Sequence, residues 1–194
     1  MWRQRRKTDV TNPGGSRLII SGPIYLPVCN YACSLPFERL IILSHRGSAM
    51  ADKTNLRALV EGVTAKSGFT SLMGARVIAV EKGNVQLAVD RRRDLLQFNG
   101  HFHGGVIAAL ADHAAGGAVT TALPAGKIAI TVDMHVNYLA PAAGEALLAK
   151  AKAIQVGSTI GVAQVDVITV INGVERACAV ALVTLRAVDT DRQI

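Results

Sequence analysis

From residue 53 onward the chain switches between two hydrophobic periodicities, and the switches lay out its elements. Leu56, Leu59, Val60 and Val63 recur at helical spacing and predict a short amphipathic helix over 53–66. "ARVIAVEKGNVQLAVD" (75–90) reads as a hairpin turning at Lys82-Gly83-Asn84. "LQFNGHFHGGVIAALADHAAGGAV" (96–119) carries a long helix, apolar nearly all round, that Pro124 and Gly126 end. "IAITVDMHVNY" (128–138) alternates strictly: Ile128, Ile130, Val132, Met134, Val136 and Tyr138 share one face, and Ala129, Thr131, Asp133, His135 and Asn137 share the other. Three more strands follow, joined at Gly157-Ser158 and at Asn172-Gly173, a strong two-residue turn signal.

Helix, two strands, long apolar helix, four strands: the order predicts an α+β fold in which a long antiparallel β-sheet wraps around one central α-helix. Alanines and glycines from Ala108 to Ala118 would let neighbouring elements come close to that helix.

Residues 1–49 are of another kind, basic at the start and then apolar but broken by Pro23, Pro27 and Pro36. No span there reaches the ~18 uninterrupted apolar residues of a membrane helix, and a signal peptide is disfavoured by the prolines. The segment is expected to be an N-terminal extension or an upstream over-read, with Met50 opening a domain over 50–194. It also holds most of the charge. Of the net +7, residues 1–49 carry seven Lys/Arg against two Asp/Glu, and residues 50–194 fourteen against twelve. With 4% aromatics there is no stacking platform, so nucleic acid is not an expected partner. Three cysteines make no disulfide framework; Cys178 reads as a buried thiol, Cys29 and Cys33 as structural or incidental, and a reducing, cytoplasmic compartment fits.

Candidate chemistry centres on Asp112, a carboxylate in an Ala-rich helix. Burying it unpaired would cost several kcal/mol, so it is either paired, neutralised or used, or else it faces solvent at a helix edge. Gly104 and Gly105 stand at the helix start, where backbone N–H groups lack intrahelical partners and could polarise a carbonyl. Eight residues separate Gly104 from Asp112, roughly 12 Å along one helix. If both act on one carbonyl, Asp112 must come from a second copy of the chain across a twofold axis.

His103-Gly104-Gly105, "VIAALAD" ending at Asp112, and "TVDMHVNYLAPA" from Thr131, with Pro141 and Gly144 beyond, resemble the hotdog-fold thioesterases of the phenylacetate-pathway type, over about residues 54–187. The resemblance implies hydrolysis of an acyl-coenzyme A thioester by a homodimer or dimer of dimers, with no metal and no cofactor beyond the coenzyme A of the substrate. It implies that Gly104 offers its amide to the carbonyl, that Asp112 is general base or nucleophile, and that Gln97, six residues before the motif histidine, positions substrate or water. Thr131 matches a hydroxyl that some members use, whereas the threonine others place four residues after the acid is Gly116 here. His103 and Gly105 are expected to shape the substrate end of the helix. Arg91 to Arg93 could meet coenzyme A phosphates but read better as a solvated strand end. Two alternatives share the fold: a 3-hydroxyacyl thioester dehydratase, suggested by Gly100-His101-Phe102, and a non-catalytic acyl-coenzyme A-binding protein.

Overall fold

The computed structural model describes residues 46–190, with side chains from Asn55 onward. The expected extension therefore lies outside the described residues except for its last four positions, as do Cys29 and Cys33. The order is α1 (Arg46–Thr64), α2 (Phe69–Met73), β1 (Arg76–Glu81), β2 (Asn84–Asp90), a single 3-10 turn (Arg93–Leu95), α3 (Gly104–Ala122), β3 (Lys127–Tyr138), β4 (Ala146–Val156), β5 (Ile160–Ile171) and β6 (Val174–Asp189). All six strands form one antiparallel sheet in the order β1-β2-β4-β5-β6-β3. The α+β expectation, a sheet around one long helix, holds.

Helix α3 is the axis of the core. Leu110, Ala111, Ala114, Ala115 and Ala118 are wholly buried in it, beneath Val85 and Leu87 of β2, Leu147 of β4, Val165 of β5 and Val183 and Leu185 of β6. Its end is set locally: Leu123 is extended (φ −75°, ψ 160°), the conformation imposed on a residue before proline, so Pro124 stops the helix. The small residues do bring backbones close. A Cβ on Gly161 of β5 would stand 2.6 Å from Val119 Cγ1, and one on Gly117 would stand 3.3 Å from Val85 Cγ1. At the far end of the sheet Asn172 (φ 50°) and Gly173 (φ 74°) make the expected tight turn, both in the left-handed region.

Strand β3 departs from its alternation. Its pairing with β6 shifts register between Thr131 and Asp133, so Val132 is an extra residue and is 56% exposed. Before this bulge Ala129 and Thr131 lie opposite Ala187 and Leu185; after it Met134, Val136 and Tyr138 lie opposite Val183, Ala181 and Ala179. The single face expected for Ile128 through Tyr138 is therefore corrected: a one-residue insertion exchanges the faces at Val132, and no residue of β3 is fully buried. Similar shifts at β1 and β4 leave Ile78 and Ile154 as outward residues and add the twist that curls the sheet over α3.

Helix α1 begins at Arg46, seven residues before the predicted start. It rests on Val60, which is buried, while Leu59 and Val63 are 41% and 45% exposed. The latch to α3 is polar: Thr64 donates its hydroxyl to the Val60 carbonyl (2.7 Å) and faces His113 Nε2 at 3.0 Å. With the hydroxyl proton so engaged, the imidazole is the donor in that second contact, as its neutral Nε2–H form. Cys178 is buried with its thiol directed at the Val167 carbonyl, and burial pushes its pKa up to about 11.

Burial lowers the pKa of His113, and the nearby Asp112 charge only partly opposes this. The unfolded chain thus takes up this proton at a higher pH than the folded one, and stability falls as pH drops below the ordinary histidine value of about 6.5. Thermal melts from pH 8 to 5 should show Tm declining below that point, and His113→Gln should flatten the decline; parallel curves would show that the latch does not titrate.

Candidate active site

Two prepared groups occupy opposite ends of one stretch of α3. At its start His103 is the N-cap, extended at φ −64°, ψ 139°, and its Nδ1 accepts from the Gly105 amide at 2.9 Å. The Val106 and Ile107 amides turn back to the His103 carbonyl. The Gly104 N–H has no acceptor among the described residues and points its donor, with the helix dipole behind it, toward whatever lies beyond the helix start.

What lies there is a cavity of about 580 Å³, lined by Gln97, Asn99, His101, Gly104, Gly105 and Tyr138 among others. A tight loop supplies the first three. The Gln97 amide bonds the His101 carbonyl (2.8 Å), the Gly100 amide bonds the Gln97 carbonyl (3.0 Å), and Asn99 Oδ1 accepts from the His101 amide. Arg91 pins this loop to the next, donating to the carbonyls of Gly100, Ala143 and Gly144, and Arg92 donates to the Leu72 carbonyl and to Asp94. These two arginines are structural clamps.

Tyr138 closes the cavity from β3. Its hydroxyl donates to the Gly104 carbonyl at 2.9 Å, and a Cβ on Gly104 would stand 3.3 Å from that oxygen. The sequence alone marks Tyr138 as a strand position of the motif and does not point to a cavity-lining place for Asn99. The signal for Tyr138 was the alternation itself, once the bulge had put it on the helix side.

Asp112 lies eight residues along, about 12 Å up the helix from Gly104. It is half-buried, and Thr131 donates its hydroxyl to Oδ1 at 2.6 Å. Oδ2 has no partner among the described residues. The bulge at Val132 is what turns Thr131 to the helix. The sequence-predicted residues thus form two groups: Gln97, His103, Gly104 and Gly105 at the cavity, and Asp112 with Thr131 elsewhere on the same chain. Gly105 has its amide engaged by His103, so of the pair only Gly104 offers a free donor. His101, His103 and His113 do not converge, and no cluster of three His, Cys, Asp or Glu fit for a metal occurs among the described residues.

Comparison with known proteins finds relatives among esterases and thioesterases. Residues 99–176 match the profile of the thioesterase superfamily. A Halobacterium salinarum relative whose name carries a provisional esterase assignment is 37% identical over 124 residues, covering 61% of this chain and 81% of its own length. The 1,4-dihydroxy-2-naphthoyl-CoA hydrolase of Listeria monocytogenes is 27% identical over 100 residues, covering 52% and 81%. Among solved structures, a thioesterase family protein from Silicibacter pomeroyi is 30% identical, with a TM-score of 0.67, over 69% of this chain and 98% of its own.

If His103 serves the helix start as a cap, His103→Ala should cost about 1 kcal/mol of stability and His103→Asn, another side-chain acceptor, should restore most of it. Urea unfolding of the three proteins reads this directly. Equal losses in both variants would exclude the cap.

Proposed function

This chain belongs to the thioesterase superfamily, with the hotdog fold of the phenylacetate-pathway type, and from that membership we propose that it hydrolyses acyl-coenzyme A thioesters at sites shared by two copies of the chain. The observation that carries the proposal is the separation on α3: an unpartnered Gly104 amide and a Thr131-held Asp112 carboxylate, each prepared, about 12 Å apart along one helix. A general base must come within roughly 3 Å, or one water, of the group it serves. Two antiparallel helices related by a twofold axis bring each amide to the other chain's carboxylate and generate two equal sites.

Strand β3 supports this assembly. It is the last strand of the sheet, twelve residues long, and its outer edge has no partner among the described residues. Natural proteins seldom leave such an edge open, and pairing with its own copy is antiparallel, as a twofold axis requires. Phe98, between Gln97 and Asn99 in the loop, is fully exposed in the single chain, and Leu139 of the cavity wall is 59% exposed; both suit a covered position. Two such dimers joined as a tetramer, in a reducing cytoplasm that suits the buried free thiol of Cys178, complete the reading. The coenzyme A ester is supported by the Listeria relative, a hydrolase of an acyl-coenzyme A.

In the reaction, the Gly104 amide polarises the thioester carbonyl while Gln97 holds the substrate within the cavity. Asp112 of the partner subunit takes a proton from water through Oδ2. The resulting hydroxide adds to the carbonyl carbon, the oxyanion is held by the amide, and the C–S bond breaks as it collapses. The proton passes to the departing thiolate, giving free acid and coenzyme A.

Asp112→Asn should lower kcat by roughly 10²–10⁴-fold with the fold intact. Gly104→Pro deletes the amide at a helix position that accepts proline, after a residue already extended, and should lower kcat by about 10²–10³-fold. Unfolded and refolded together in equal amounts, the two inactive chains should recover about a quarter of wild-type activity, because half the dimers are mixed and each mixed dimer holds one intact site. No recovery, with dimers present, would place the whole site within one chain.

A further inference from the structure

A second cavity, of about 140 Å³, lies between α1, α3 and the start of β3, and nothing in the mechanism above uses it. Its walls include Leu59 and Val63 of α1, His113, Gly116 and Gly117 of α3, and Ile128 of β3. We propose that this cavity seats the acyl group of the substrate, and that the group it fits is uncharged and short, a single ring or about six carbons.

The position follows from two periodicities. Gly116 is one turn after Asp112 on the same face of α3, about 6 Å along the axis. Ala129, also lining the cavity, precedes Thr131 by two residues on the same face of β3. The cavity is therefore the next layer beyond the Asp112–Thr131 pair, where the carbon chain of an ester attacked at that pair would run.

Its emptiness is traceable to one residue. Gly117 has a packing reason, since a Cβ there would press on Val85 at 3.3 Å. Gly116 has none: a Cβ would meet only Leu185 Cδ2, at an ordinary 4.0 Å, and its backbone is not left-handed. Alanine would fit and would favour the helix. Glycine at 116 disfavours the helix and leaves a space, which a ligand can use.

The walls then specify the ligand. Leu59, Val63 and Ile128 are apolar, and the Thr120 hydroxyl oxygen accepts from the Ala129 amide at 3.0 Å. His113 is the single ionisable wall, held neutral by burial and bonded to Thr64. A dicarboxylic acyl group would bring a carboxylate with no countercharge to meet it. In size, apolar protein cavities of about 150 Å³ take up benzene, so 140 Å³ matches one ring or a chain of similar bulk.

The inference rests on the hydrolase reading, and its test separates the two. Acetyl-, hexanoyl-, phenylacetyl-, dodecanoyl- and succinyl-coenzyme A are compared on the wild type, on Gly116→Val, which fills the cavity, and on Leu59→Ala, which widens it; Gly116→Ala serves as the variant certain to keep the helix. The wild type should favour hexanoyl and phenylacetyl over acetyl and succinyl. Gly116→Val should lower the hexanoyl-to-acetyl ratio of kcat/KM by about 10-fold or more, Gly116→Ala by less, and Leu59→Ala should raise the dodecanoyl-to-hexanoyl ratio. Ratios that stay within about twofold of wild type in all three variants overturn the cavity assignment while leaving the hydrolase intact. If no acyl-coenzyme A is turned over, the hydrolase reading fails, and hexanamide titrated against the ¹⁵N-labelled protein decides the cavity: shifts at His113 and Gly116 that vanish in Gly116→Val support it, and no shifts there overturn it.

Discussion

A carboxylate on a helix that is apolar on nearly every side has to be held by something, and in this chain one threonine hydroxyl holds it. The 2.6 Å bond from Thr131 to Asp112 fixes one oxygen and leaves the other free. It exists because β3 carries one residue more than β6 allows it to pair. With regular alternation from Ile128, Thr131 would have shared the face opposite Met134 and Val136, and Asp112 would have met an isoleucine or a valine. The bulge reconciles two demands on one strand: a hydroxyl toward the helix in its first half, and apolar cover with Tyr138 in its second.

The same helix also explains why the proposed reaction calls for a second copy of the chain. An α-helix offers a strong donor only at its first turn, and a carboxylate placed there would compete for that donor. Setting the acid two turns further on keeps both groups unquenched but puts them out of each other's reach. A second copy running the other way would restore the encounter and create two sites with no additional residues. The open edge of β3 and the exposed Phe98 are the features of a single chain that such an arrangement would cover.

How legible this was in the sequence depended on range. The Asn172-Gly173 turn, the hairpin expected over 75–90 and the stop at Pro124 are decided by two or three neighbouring residues, and the structure has all three. The start of α3 at Gly104 is likewise a local matter, and there His103, expected only to shape that end of the helix, is its N-cap. The five-residue α2 lies below the length at which periodicity can be recognised, and the start of α1 at Arg46 falls where no apolar repeat marks it. The face of Ile128, Ile130 and Val132 was misread, since a bulge is set by the partner strand and "ITVDM" looks the same with or without it. The bond that Tyr138 makes is illegible for a related reason: its hydroxyl reaches a carbonyl 34 residues away.

Glycine use along α3 separates packing from function. Gly104 is held small by the tyrosine ring above it, Gly117 by Val85, and Gly116 by nothing closer than 4.0 Å among the described residues. In a helix where alanine is available at almost every other buried position, an unforced glycine is a departure from the locally best choice. Departures of that kind tend to collect where a protein meets its ligand, because there the missing atoms are supplied from outside. The unforced glycine at 116 sits a single turn from Asp112, where the acyl group of the proposed substrate would supply the missing atoms.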